Sequence, residues 1–133
     1  MATDTRLTLW HDIVASKDTS RLGNLLADDI LLYSPVFWQP KQGKMAAFII
    51  LSTVIEVFED FTYHREWLMG DEWALEFSAR IGDKQLKGVD LVTFDESGKI
   101  VRFEVLIRPL NGLQALGMEM GQRLAKLGID IKQ

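Results

Sequence analysis

The chain contains no cysteine among its 133 residues. This absence excludes disulfide bonds, thiolate metal sites and cysteine nucleophiles, so packing alone must hold the fold together. A cysteine-free chain suits a reducing compartment, and we expect a cytoplasmic protein. Residues 1–14 also lack the basic start and the unbroken apolar stretch of a secretory signal, so we expect the mature chain to begin here.

Basic charge and long apolar runs are both scarce. The chain has 15 Lys and Arg residues against 19 Asp and Glu, with a net charge of -4. Scattered basic residues on an acidic chain argue against a nucleic-acid partner. The most apolar helix candidate, residues 45–58, is shorter than the roughly 20 residues that a bilayer-spanning helix requires. We therefore expect no membrane partner.

Histidine is represented only by His11 and His64, which have no companion at metal-ligand spacing. The chain also lacks a glycine-rich phosphate loop and the Ser-His-Asp order of nucleophilic hydrolases. We therefore expect no metal and no cofactor. Because no repeat or linker is visible, residues 1–133 are predicted to form a single domain whose packed unit spans residues 5–128.

The first part of the chain has the periodicity of helices. Apolar residues recur at helical spacing over residues 7–14, after the capping candidates Thr3 and Asp4, and again over residues 22–26. A third helix is predicted over residues 44–58. A short strand is predicted in "DDILLYSP", residues 28–35, followed by a loop that contains proline and glycine.

From Phe61 onwards the period becomes two, which is typical of strands. Strands are predicted over residues 61–69, 73–81, 85–94 and 99–109, and an amphipathic helix closes the chain over residues 113–127. This order predicts an α+β domain in which three N-terminal helices pack on a strongly curved, mostly antiparallel sheet, with a C-terminal helix. Such a sheet encloses a cone, where a small ligand would bind.

The hairpin "KGVDLVTFDESGKIVRFEV", residues 87–105, contains one acid, Asp90, inside an apolar run. If Phe94 pairs with residue 100, Asp90 faces Glu104 and two like charges are opposed. If Phe94 pairs with residue 99 across the loop "DESG", the apolar residues fall on one face and Asp90 lies among them. We choose the second register, which places Asp90 on the concave face.

A carboxylate without a partner is costly to bury, so Asp90 must either be paired or have a raised pKa. A raised pKa would make Asp90 a proton donor near neutral pH, as in acid catalysts in apolar sites. A structural role, with Asp90 bonded to a backbone N–H or to an arginine such as Arg80, remains an alternative at this point.

The segments "ADDILLYSP", "GVDLVTFDESGKIVRFEV" and "RPL" lie in an order that resembles the SnoaL-like branch of the nuclear transport factor-type (cystatin-like α+β) superfamily. That superfamily includes ketosteroid isomerases, limonene epoxide hydrolases and polyketide cyclases. The resemblance implies that Asp90 occupies the position of the protonated aspartic acid in ketosteroid isomerases. Trp10 then matches their catalytic tyrosine and Ser34 matches their proton-abstracting aspartate. SnoaL-like cyclases depend on a single pocket acid, which Asp90 supplies.

The expected ligand is a small apolar metabolite, carbonyl-containing or cyclic, bound in the cone. Tyr33 and Trp38 are expected at its mouth and Trp10 at its floor, whereas the wall is expected to contain Phe103, Val105 and Ile107. Binding without chemistry, with Asp90 only orienting the ligand, is one hypothesis, and a cofactor-independent isomerase or cyclase that uses Asp90 as its single acid or base is the other. A cone filled by its own side chains is a third possibility.

The convex face of the sheet is expected to carry Arg102, Glu104 and Leu106. A mixed exposed face of this kind is typical of a contact surface. We therefore expect a twofold homodimer that forms through the sheet.

Overall fold

The computed structural model describes residues 4–129. The helices in this part of the chain are α1 (Thr5–Ser16), a 3-10 helix (Leu22–Leu25), α2 (Lys44–Val57) and α3 (Leu110–Lys126). The strands are β1 (Leu26–Tyr33), β2 (Lys41–Gln42), β3 (Glu59–Met69), β4 (Glu72–Ile81), β5 (Lys84–Phe94) and β6 (Ile100–Arg108). None of the helices within residues 4–129 is both long and apolar enough to cross a bilayer.

The strands form one mixed sheet in the order β2-β1-β6-β5-β4-β3. The β1–β6 pair is parallel and the other four pairs are antiparallel. The helices cover the concave face, where most of the buried apolar side chains lie. The predicted α+β class, with helices on a mostly antiparallel sheet and a C-terminal helix, is confirmed.

The second predicted helix is only one 3-10 turn. Leu22 and Leu25 are buried within it, but Leu26 already begins β1. From Leu26 onwards the chain is extended, and Ile30 and Leu32 enter the same core as the preceding leucines. The leucine spacing therefore spans a helix-to-strand junction, which periodicity alone does not separate from a longer helix.

The chain between β1 and α2 also departs from the prediction. Residues 41 and 42 form β2, a two-residue strand that pairs with β1 in a segment predicted to be a loop. At the N-terminus, the Asp4 side chain accepts a hydrogen bond from the Arg6 N–H and caps α1. The other predicted cap, Thr3, lies outside the described residues.

The hairpin that carries Asp90 begins in the first of the two registers considered, which was not the chosen one, and then leaves it. Phe94 pairs with Ile100, but a bulge follows, so Thr93 pairs with Arg102 and Asp90 pairs with Val105. The loop over residues 95–99 is held by the Asp95 side chain, which accepts hydrogen bonds from the backbone N–H groups of residues 97 and 99. A bulge shifts the pairing by one residue. Val105 rather than Glu104 consequently lies opposite Asp90, and Asp90 lies on the concave face that the chosen register predicted.

Gly88 makes room for the aromatic side chain that lies next to Asp90. It pairs with Phe77 of β4 and Ile107 of β6. A Cβ atom built on Gly88 would lie 2.5 Å from the Leu106 carbonyl oxygen and 2.6 Å from the Phe77 ring. The Phe77 ring therefore packs directly against the backbone, two residues before the acid.

We expect Gly88→Ala to lower the free energy of unfolding by about 1–3 kcal/mol, because either Phe77 or the β6 backbone must move. Urea denaturation followed by circular dichroism measures the change. Gly23→Ala is the matched control, since its Cβ would make only ordinary contacts, with the Lys44 side chain at 3.7 Å and the Phe48 ring at 4.0 Å. Equal effects of the two substitutions would contradict the packing described for Gly88.

The convex face is not covered by any of the described helices. Exposed apolar side chains on this face include Trp67, Met69 and Leu106. Between them the Glu76 carboxylate accepts hydrogen bonds from Arg65 and lies 2.8 Å from the Lys87 ammonium. These contacts lower the pKa of Glu76 and keep it ionised. The face is therefore a mixture of apolar side chains and paired charges.

A homodimer through this face stays a prediction. We expect the wild-type chain to form dimers at tens of micromolar, and Leu106→Lys to shift it toward the monomer by placing a charge in the contact. Light scattering gives the mass of both proteins. Leu110→Lys, on the exposed start of α3, is the control that should not change the mass. A monomeric wild type would refute the predicted assembly.

Candidate functional site

An apolar cavity lies between the concave face of the sheet and the helices. Its volume, counted as the space open to the centres of water molecules, is about 90 Å³. This volume is several times the roughly 10–15 Å³ that a single water needs. The cavity receives side chains from α1, α2, α3 and several strands. Its apolar lining includes Val14, Leu32, Val36, Phe37, Ile50, Leu51, Val54, Ile55, Phe58, Phe61, Leu116, Met120 and Leu124.

Asp90 lies in this lining and is 5% exposed. It is held by the centre of the sheet, because it pairs with Leu75 of β4 on one side and Val105 of β6 on the other. A central strand position of this kind fixes the backbone on both sides. The carboxyl group therefore projects into an apolar space from a rigid support.

A chain of hydrogen bonds ends at the Asp90 carboxyl group. The Trp10 Nε1–H donates to the Tyr63 hydroxyl oxygen at 2.7 Å, and the Tyr63 O–H donates to Asp90 Oδ2 at 2.8 Å. Within residues 4–129, Oδ2 is the Asp90 oxygen that receives a hydrogen bond, so Oδ1 remains available to a ligand. Each hydrogen bond in this series polarises the next one.

Burial has the largest effect on the pKa values of Asp90 and Tyr63, the two titratable groups in this series of hydrogen bonds. The loss of hydration raises the pKa of Asp90 to about 7, although the Tyr63 hydrogen bond acts in the opposite direction. Burial, followed by the nearby Asp90 charge, raises the pKa of Tyr63 well above its ordinary value. Tyr63 is therefore a neutral donor, whereas Asp90 changes its protonation state near neutral pH.

Arg80 is not the partner of Asp90. Its guanidinium contacts Asp60 at 2.6 Å and Glu59 at 2.9 Å, near the start of β3. The alternative in which Arg80 neutralises a structural Asp90 is therefore wrong. In the part of the chain that the structure describes, the Asp90 side chain forms no ion pair, and its hydrogen-bond partner is a phenol.

Four of the residues expected to contact a ligand line the cavity. Trp10 and Phe103 pack against each other with ring centroids 5.4 Å apart, and Val105 and Ile107 continue the same wall along β6. Their side chains face inward because alternate residues of β6 share one face of the sheet.

The structure places Tyr33 and Trp38 outside the cavity, which corrects their expected position at the mouth. Tyr33 pairs with Glu104, which belongs to the convex face, and the Arg102 guanidinium lies 4.5 Å from the Tyr33 ring centroid. Trp38 lies in the loop before β2 and is 83% exposed. Phe37, which directly precedes Trp38 in the sequence, lines the cavity instead.

Tyr63 is the site residue that sequence reasoning missed. Simple alternation placed it on one face with Arg65 and Trp67, but a bulge between Tyr63 and Glu66 changes the register. Tyr63 consequently pairs with Phe77 on the concave side, whereas Arg65 bonds Glu76 on the convex side. The signal that was present is the unusual acid at position 90, since a buried carboxyl group requires a donor.

Among the residues that the structure describes, the lining is polar at two separate places. One is the pair formed by Tyr63 and Asp90, and the other is the chain segment that contains Ser34, Gln39 and Lys41. The Ser34 hydroxyl oxygen accepts a hydrogen bond from the Val36 N–H. Ser34 thus lies in the cavity without offering a carboxylate there.

The histidines lie outside the cavity lining. The His11 Nε2 atom lies 2.7 Å from a Glu66 carboxylate oxygen, and the His64 Nε2 atom lies 2.7 Å from the Ser78 hydroxyl. Among residues 4–129, no group of three potential metal ligands comes together.

Comparison with solved structures identifies relatives over nearly the whole chain. A steroid delta-isomerase from Pseudomonas aeruginosa is 48% identical, with 92% of this chain and 91% of that chain covered and a TM-score of 0.89. An uncharacterized protein with a cystatin-like fold from Silicibacter pomeroyi is 34% identical, covering 90% and 85% of the two chains with a TM-score of 0.86.

A more distant structure supports the fold alone. An NTF2-like protein of unknown function from Mesorhizobium loti is 16% identical, with 82% of this chain and 98% of that chain covered and a TM-score of 0.72. No family model matches the sequence, and no curated protein is significantly similar to it.

The raised pKa of Asp90 predicts a specific dependence of stability on pH. Asp90 binds its proton more tightly in the folded protein than in the unfolded chain. The free energy of unfolding therefore falls as pH rises from the pKa in the unfolded chain, near 3.8, through the pKa in the folded protein, about 7. The loss approaches about 4 kcal/mol as an upper figure. Asp90→Asn carries no titrating group, so we expect it to become more stable relative to wild type as pH rises.

Urea denaturation at about pH 4.5, 6 and 8 measures this difference. Asp83→Asn is the control because the Asp83 side chain is 87% exposed. The stability of this variant relative to wild type should stay nearly constant with pH. A constant difference for Asp90→Asn as well would show that Asp90 titrates as an ordinary solvated carboxyl group.

Proposed function

Because the chain belongs to the nuclear transport factor 2-like superfamily with the cystatin-like α+β fold, we propose that its cavity binds a small apolar carbonyl compound and that Asp90 moves a proton on it. The observation that carries this proposal is the Asp90 carboxyl group, buried in an apolar cavity with Oδ2 bonded to Tyr63 and Oδ1 left for a ligand. Isomerase-type chemistry is the matching reaction class.

The proton transfer uses the two states of Asp90. As a carboxylate, Asp90 takes a proton from a carbon next to the substrate carbonyl, and the electron pair of the C–H bond moves into the enolate. As the resulting carboxylic acid, Asp90 returns the proton to a different carbon, which leaves the carboxylate ready for the next turnover. A pKa of about 7 suits both steps, because neither state is strongly favoured near neutral pH.

The reaction makes a demand on the substrate. Tyr63 bonds Asp90 directly. By the resemblance to ketosteroid isomerases, Ser34 occupies the position of their catalytic base. Because the cavity lining within residues 4–129 offers a single carboxylate, the substrate must acidify its own C–H bond through an adjacent carbonyl or a conjugated system. This requirement resembles that of SnoaL-like cyclases, which use one pocket acid, and we propose that branch for this chain.

Ligand binding without chemistry is the second candidate. The single carboxylate favours it, since two-group proton transfer has no second partner in the described lining. In that case, protonated Asp90 donates one hydrogen bond from Oδ1 to the ligand and only fixes its orientation. Asp90→Asn would then weaken binding modestly and no ligand would be transformed.

Deuterium exchange separates the two candidates without knowledge of the natural substrate. The probe is 2-tetralone, a bicyclic apolar ketone, and proton NMR in D2O follows the loss of its α-hydrogens. We expect wild type to accelerate exchange, and Asp90→Asn to reduce that acceleration by about 10²–10⁴-fold. The rate should rise with pH through about 7, because the carboxylate is the form that accepts the proton.

Trp38→Ala is the control for this experiment, since the exposed indole lies outside the cavity and its loss should leave exchange unchanged. Exchange at the wild-type rate in Asp90→Asn would refute a catalytic role for this carboxyl group. Binding of 2-tetralone with no enzyme-dependent exchange would support the binding candidate.

A further inference from the structure

Lys41 is a basic residue in the lining of the mostly apolar cavity. It belongs to β2 and pairs with Leu32 of β1, whose side chain is 2% exposed in the concave core. Paired residues on neighbouring strands project to the same face of a sheet. The Lys41 side chain therefore leaves the edge strand on the cavity side, although its residue is only half-buried.

The Lys41 ammonium has no ion-pair or hydrogen-bond partner within residues 4–129. Several other basic groups on the sheet are paired with carboxylates: Arg65 and Lys87 with Glu76, and Arg80 with Asp60. A positive charge beside apolar walls loses part of its hydration, and an anion is the group that compensates for this loss. Gln39 and Ser34 lie in the same part of the lining and add polar side chains there.

The position of Lys41 relative to Asp90 follows from the sheet. Lys41, Leu32, Phe103 and Val92 form one row of paired residues across four strands, and Asp90 lies two residues from Val92 on β5. With neighbouring strands about 4.8 Å apart, the two Cα atoms are separated by roughly 15 Å along the sheet, and by less where it curves. The side chains shorten this span at both ends.

We propose that the cavity is built for an amphipathic anion. The ligand has an apolar body against the cavity walls, a carbonyl group at Asp90, and a carboxylate- or sulfonate-type group that is bound by Lys41. The carbonyl end rests on the proposed function, whereas the anionic end rests on the placement of Lys41. Lys41 is thus a specificity-determining residue that distinguishes charged from neutral ligands with the same apolar body.

A pair of fluorescent probes tests the anionic end. 8-Anilinonaphthalene-1-sulfonate and N-phenyl-1-naphthylamine share one ring system, but only the first carries a negative group. We expect wild type to bind the sulfonate more tightly than the neutral amine and the two to displace each other competitively. In Lys41→Gln, affinity for the sulfonate should fall by about tenfold, while affinity for the neutral amine stays within about twofold.

Two variants control for charge and fold. Lys84→Gln removes the same charge from an exposed site that does not line the cavity, and it should keep the wild-type preference. Lys41→Arg retains the charge and should restore most of the preference. The preference should also weaken as sodium chloride is added, since salt screens the attraction.

Three results would overturn the inference: sulfonate affinity that does not change in Lys41→Gln, an equal fall for both probes, or no binding of the sulfonate by wild type. The outcome is separable from that of the proposed function. A Lys41-dependent preference together with Asp90→Asn exchange at the wild-type rate would retain the anion site and reject the catalysis. The reverse pattern would retain the catalysis and reject the anion site.

Discussion

The burial of one carboxyl group is the constraint on which the site depends. Asp90 is fixed by its neighbours on both sides of a central strand, and its protonated form is favoured because water is largely excluded. Tyr63 supplies a hydrogen bond without supplying charge, so it orients the carboxyl group and leaves its acidity near neutrality. An arginine in the same place would have held Asp90 as a permanent carboxylate and removed its capacity to exchange a proton.

Several local features of the surrounding structure support this arrangement. Gly88 lets the Phe77 ring pack against the backbone, which leaves space beside it for Tyr63. The bulge in β3 brings Tyr63 onto the face that carries Asp90, and the bulge in β6 places Val105 rather than Glu104 opposite the acid. Trp10 closes the hydrogen-bond chain from α1, so the helix is connected to the sheet at the site itself. The acid, its donor and the packing around them are therefore one unit.

The cavity differs at its two polar places, and the difference matters for ligand choice. At Asp90 the carboxyl group is buried and carries a proton at higher pH than an exposed acid would, which suits a neutral carbonyl. At Lys41 the side chain is half-buried on an edge strand and lies in the cavity lining, where it can meet a ligand. An apolar wall separates the two. Asymmetric ligands are thereby favoured over uniformly apolar ones.

The sequence by itself determined the α+β class, the order of most elements, the inward position of Asp90 and the apolar wall of β6, because apolar periodicity reports which residues share a face. Only the tertiary structure determined that Tyr63 donates a hydrogen bond to Asp90 and that Tyr33 and Trp38 lie outside the cavity. The β3 and β6 bulges reverse alternation without a clear local signal, and the pairing of Tyr33 with Glu104 is a contact between distant segments. Such pairings depend on the curvature of the whole sheet, which no short stretch of residues encodes.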